Sequence, residues 1–129
     1  MARADLEQLT PETLGRGVHD PEAYRQFSPD DAHAVRMYKD VDISLVVWNL
    51  EPGQAGAMHS HPESAHTFLV LCGSGEYVQG DQNVVPIKAG DCVIIPREQV
   101  HGIRNTGSER LSYLAFTNQG PNGYSRTRA

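Results

Sequence analysis

Cysteine is almost missing from this chain: there are two, Cys72 and Cys92, and they lack C-x-x-C spacing. That counts against a disulfide or a thiolate metal site, and both residues are read as buried, reduced thiols inside apolar strands. Basic residues are outnumbered, with 11 Lys and Arg against 16 Asp and Glu and a net charge of -5. This is the wrong sign for a protein that neutralises phosphates, so nucleic acid is excluded as a partner. No stretch approaches the roughly 20 apolar residues of a membrane span. The first thirty residues are charged throughout and hold no apolar run of seven, so no secretory signal is read there. A soluble, cytoplasmic protein without membrane contact is expected. Helical periodicity is missing from residue 34 onward.

What the chain does contain is enough for one core: 129 residues, 39% of them apolar. Residues 1–32 form an arm, partly helical or irregular, in which "TPE" and "DPEAY" offer starts for short helices or turns. Residues 33–118 read as a single β-domain. Nine short runs alternate with Gly, Pro, Asn or Asp punctuation: "AVRMY", "DISLVVWNL", "GAMHSH", "AHTFLVLC", "GEYVQG", "NVVPIKAG", "DCVIIP", "VHGIRN" and "RLSYLAFTN". Such a pattern predicts an all-β sandwich or barrel. "YVQGDQNVVPI" reads as a hairpin around Gly-Asp. Residues 119–129 are a polar tail, exposed or draped over a neighbouring subunit.

The histidines are unevenly spread, with His59, His61 and His66 falling within eight positions of a chain that has six. On a strand, His59 and His61 point to one face about 7 Å apart, close enough to share an ion. After a connection through Pro62, His66 opens the next antiparallel strand opposite that pair, with Phe68 and Val70 on its face. His101 begins a later strand, and Ile103 and Asn105 keep its parity. Four imidazoles converging on one point suit one divalent transition-metal ion per subunit. His19 and His33 are expected in solvent, and Glu63, in the connection, is read as solvated. Trp48, Met58, Phe68, Val70, Tyr77, Ile103 and Tyr113 are the candidates to line a substrate cavity.

Two motifs carry a family resemblance. Gly53, His59, His61 and Gly73 fit G-x5-H-x-H-x4-E-x6-G, with His66 at the glutamate position. Gly90, Pro96, His101 and Asn105 fit G-x5-P-x-G-x2-H-x3-N, with Glu98 in place of the second glycine. The chain thus resembles a single-domain cupin. The resemblance implies a double-stranded antiparallel β-helix, or jelly roll, with ligands lining the barrel interior and a homodimer as the common assembly. Gly53, Gly73 and Gly90 are read as turn residues, and Asn105 as a hydrogen-bond anchor.

Without the glutamate, a metal held by neutral nitrogens keeps its full charge and is the stronger Lewis acid. A bidentate oxygen donor of the 1,3-dicarbonyl type suits such a site, with proton abstraction beside a carbonyl as the first step. Four-histidine sites resemble those of the small cupin cyclases of aromatic polyketide biosynthesis, which implies aldol cyclisation and dehydration on zinc. Iron, nickel or manganese instead would suit an oxygen-dependent dioxygenase that cleaves a β-diketone or flavonol. A non-catalytic sugar or effector sensor is the third reading. His66 is either the fourth ligand or the residue that moves a proton.

Overall fold

The computed structural model describes residues 17–56, 65–80, 83–97 and 99–118. Among the described residues eight strands follow a short 3-10 turn over Pro21–Tyr24: β1 (His33–Lys39), β2 (Ile43–Leu50), β3 (His66–Cys72), β4 (Ser74–Gln79), β5 (Asn83–Lys88), β6 (Cys92–Ile95), β7 (His101–Arg104) and β8 (Leu111–Asn118). The run expected at 56–61 falls mostly outside the described residues, and so does Glu63; Ala55, just before it, bridges to Arg104 of β7.

The strands form two antiparallel sheets, one in the order β1-β2-β8-β3-β6 and the other β5-β4-β7. One core cluster draws side chains from both, among them Leu50, Phe68, Val70, Leu111 and Tyr113 from the first and Tyr77, Ile87 and Ile103 from the second. The sheets therefore face each other across a shared interior, as in a jelly roll. The period-two alternation explains which residues meet there. His66, Phe68 and Val70 are buried in β3, while Leu69 between them is 41% exposed. Register carries the same face across the sheet: Phe68 opposes Ala115 and Val70 opposes Tyr113, while Trp48 lies opposite Tyr113 on its other side. β5 is an edge strand, which accommodates Pro86 within it. Among the described residues no helix is long and apolar enough to cross a membrane.

The chain crosses from one sheet to the other at a single residue between β3 and β4, Gly73, whose φ is +83°. A Cβ there would collide with the backbone carbonyl of Arg110.

Two expectations fail. Cys92 is exposed and Cys72 only half-buried, although both are free thiols. Cys92 lies on the outer face of β6, the edge strand, opposite the exposed Leu69. His19 and His33 are half-buried, not in solvent, and His19 Nδ1 lies 2.8 Å from the Tyr24 hydroxyl.

The arm is tied to the outside of the first sheet by a buried polar group that the strand pattern does not single out. Asn49 is fully buried, and its Nδ2 donates to the carbonyls of Tyr24 and His33, each at 3.2 Å. Its Oδ1 accepts from Ser112 Oγ at 2.7 Å, and Ser112 Oγ accepts in turn from Arg25 Nε at 3.0 Å. Phe27 lies beside two guanidinium groups, with its ring centre 4.5 Å from that of Arg110 and 5.5 Å from that of Arg25. Asn49→Ala strips the buried partners of the Tyr24 carbonyl and the Ser112 hydroxyl, and is expected to cost about 2–3 kcal/mol. Urea unfolding followed at equilibrium measures this, and an unchanged midpoint would refute it.

Candidate metal-binding and substrate site

His66 and His101 come from different sheets, yet their ring centroids are 5.1 Å apart. β3 supplies the first at its opening residue and β7 the second, also at its opening residue. They are 5% and 1% exposed, so neither is a surface histidine. Each ring is oriented through Nδ1. His101 Nδ1 donates to the Gln99 carbonyl at 3.0 Å, and a carbonyl only accepts. The proton of the neutral ring therefore sits on Nδ1, and the lone pair is on Nε2. His66 Nδ1 lies 2.7 Å from Thr117 Oγ1, an oxygen that can take the equivalent proton. Both Nε2 atoms are buried. A histidine whose Nδ1 is fixed by a second group and whose Nε2 carries the lone pair has the form of a metal ligand.

Around the pair the wall is apolar and aromatic. Phe68 lies 5.8 Å from each imidazole, and its ring is 4.8 Å from that of Tyr113. Burial holds the Tyr113 phenol well above its ordinary range, so it stays protonated and can only donate or accept as a neutral hydroxyl. Burial also raises Tyr77, whose hydroxyl donates to Gln99 Oε1 at 3.0 Å. Gln99 thus fixes His101 through its backbone and Tyr77 through its side chain.

Of the residues expected to line a cavity, Phe68, Val70, Tyr77, Ile103 and Tyr113 belong to one core cluster, and the half-buried Trp48 packs against it. His59, His61 and Met58 lie outside the described residues. Among the described residues no third side chain of ligand type joins His66 and His101. Asn105 is fully buried and anchors the turn into β8, donating to the carbonyls of Leu50 and Glu109 and accepting from the Gly107 amide.

Thr117 and Gln99 are the contributors the sequence reading missed. A signal for Thr117 was present: Leu111, Tyr113, Ala115 and Thr117 alternate in β8, so a hydroxyl ends an otherwise apolar inward row. No such periodicity marks Gln99, which precedes its strand and acts partly through its backbone.

The comparisons agree with this fold. The family of cupin domains matches residues 46–117, more than half of the chain. The chain belongs to the cupin family. An oxalate-binding protein of Thermotoga maritima is 35% identical over 66 residues, covering 51% of this cupin and 54% of the relative. This cupin thus spans about half the length of that relative. A solved Klebsiella pneumoniae protein, described as uncharacterised with a double-stranded β-helix domain, superposes with a TM-score of 0.79 at 31% identity. That match covers 87% of this chain and 97% of the other. The polyketide cyclase RemF of Streptomyces resistomycificus superposes with a TM-score of 0.66 at 19% identity, covering 77% and 70% of the two chains. At that identity the likeness is one of fold.

Proposed function

We propose that this cupin is a metal-dependent enzyme acting on an enolisable, oxygen-rich substrate of the 1,3-dicarbonyl type, with aldol cyclisation and dehydration of a polyketide chain as its reaction. The observation that carries this is the juxtaposition of His66 and His101, each fixed through Nδ1, against a wall of Phe68 and Tyr113. With His59 and His61 they would hold one divalent ion, zinc by preference, because the donor set is all nitrogen and redox-inert chemistry suffices. The ion, when bound, supplies Lewis-acid polarisation of a chelated dicarbonyl.

The chain's own residues supply the rest. Phe68, Tyr113 and Ile103 form a buried wall that excludes water, which a condensation needs. The Tyr113 hydroxyl, kept protonated by burial, is a donor for an oxygen that gains negative charge. The 2.7 Å contact between His66 and Thr117 gives the imidazole a fixed orientation for holding or passing a proton at Nε2. A second reading is a non-catalytic binder of a small acid. It is supported by the relative named for oxalate binding, which is 35% identical over the matched 66 residues.

The test is the zinc-loaded protein with a polyoxo substrate under air. Formation of a cyclised, dehydrated product without oxygen uptake is the expected result. Oxygen consumption would point to a β-diketone dioxygenase, and saturable binding without turnover to the small-acid binder. Within the same preparation, His66→Glu is expected to keep zinc at full stoichiometry, while His66→Ala loses affinity by about tenfold or more. Equal zinc affinity in His66→Ala and the parent would remove His66 from the ligand set.

A further inference from the structure

The first sheet carries a cation on its inward face that the proposed chemistry does not use. Arg36 lies in β1 opposite Val46, Val46 lies opposite Ala115, and Ala115 lies opposite Phe68. Directly paired residues share a face, so Arg36 stands in the same cross-strand row as the core residues Ala115 and Phe68. Its neighbours in period two agree: Ala32 and Ala34 are both buried, and Ala34 opposes Trp48. The Arg36 side chain is half-buried and its Nε is fully buried, and among the described residues no oxygen accepts from that Nε. The other arginines of the sheet system behave differently. Arg104 is paired with Glu76 at 2.7 Å and Arg110 with Glu51 at 3.1 Å, each on an exposed surface.

A buried guanidinium Nε with no acceptor is costly, and the planar fork to which it belongs suits a carboxylate. The inward rows that register assigns to the five-stranded sheet contain no Asp or Glu among the described residues. From these observations we infer that Arg36 receives the carboxylate of the bound substrate, so that the substrate class is a polyoxo acid and not a neutral diketone or ester. The inference deepens the function proposed above and rests on it for the position of the dicarbonyl at the histidines.

Distance sets the length of that acid. Arg36 lies three strand spacings from β3 and two residues along it from His66, about 14 Å across and about 7 Å along a flat sheet, and less on a curved one. The arginine side chain closes part of this gap. A carboxylate three to five carbons from the chelated oxygens closes the remainder, as in a 3,5-dioxo acid.

The experiment compares 3,5-dioxohexanoate with its methyl ester on the zinc-loaded full chain, by calorimetry and by the fluorescence of Trp48, the sole tryptophan. The parent is expected to bind the acid at least about tenfold more tightly than the ester. Arg36→Gln should abolish that preference and leave ester affinity within about threefold, and Arg36→Lys should keep part of it, because charge survives without the fork. Equal affinity for acid and ester in the parent overturns the inference, as does an undiminished preference in Arg36→Gln. Binding of neither compound overturns it too. Failure of the metal reading looks different: acid and ester bind metal-stripped protein as tightly as loaded protein, while the Arg36-dependent preference persists.

Discussion

Replacing His101 with alanine is expected to lower zinc affinity by about 100-fold or more. The ring is 1% exposed, its Nδ1 donates to the Gln99 carbonyl at 3.0 Å, and its Nε2 is buried close to the His66 ring. The fold has therefore already met the entropic cost of aiming that lone pair, and a truncated side chain forfeits both the bond and the preorganisation. Competition against a chromophoric chelator gives the affinity, and elemental analysis gives the stoichiometry. His101→Ala binding zinc as the parent does would show that the imidazole pair is a packed aromatic contact and nothing more. Zinc should also raise the thermal midpoint of the parent, because an ion that binds only the folded chain stabilises it by mass action. That rise should vanish in His101→Ala.

Gly73→Ala is expected to destabilise the domain by about 3 kcal/mol or more and to lower the melting temperature by roughly 10 °C or more. Two costs coincide at this residue. Its φ of +83° disfavours any side chain, and the added Cβ would drive into the Arg110 carbonyl and the Leu111 Cα, which are backbone atoms that cannot rotate away. Gly53 is the control. Its φ is +89°, yet a Cβ there meets nothing within 4 Å, so Gly53→Ala should cost only the conformational part, about 1 kcal/mol. Equal losses in the two variants would show that steric contact at the sheet crossing contributes nothing.

How far the sequence led depends on which physical rule each feature obeys. Strand alternation is local, so the shared face of His66, Phe68 and Val70 and that of His101, Ile103 and Asn105 could be read from spacing alone. Gly73 and Gly90 declared their turns for the same reason, since few other residues tolerate positive φ. Neighbour order in a sheet is not local. Nothing in "DCVIIP" states that β6 ends up beside β3 with Val93 and Ile95 turned inward, which leaves Cys92, expected inside, on the outer face. Asn49 was equally unreadable, because its value comes from the His33 carbonyl that strand pairing sets opposite it and from the Tyr24 carbonyl that approaches only when the arm docks. Arg36 had a legible signal in Ala32-x-Ala34-x-Arg36, two small buried residues leading a cation along one face. The signal is weak, since a single arginine in a half-buried strand is ordinarily a solvated one. His59 and His61 lie outside the described residues, so the four-imidazole set rests on the two motifs together with the observed pair.

The position of β8 has a consequence for how the chain comes into being. Among the described strands this one is the last in sequence order, yet it lies in the middle of the five-stranded sheet, hydrogen-bonded to β2 on one side and to β3 on the other. On a ribosome, β1 to β7 emerge before the strand that joins β2 to β3 exists. The earlier half of the sheet must wait as a two-stranded ribbon with an open, apolar flank. A late, long-range closure of this kind makes assembly slow relative to a helical protein of the same size.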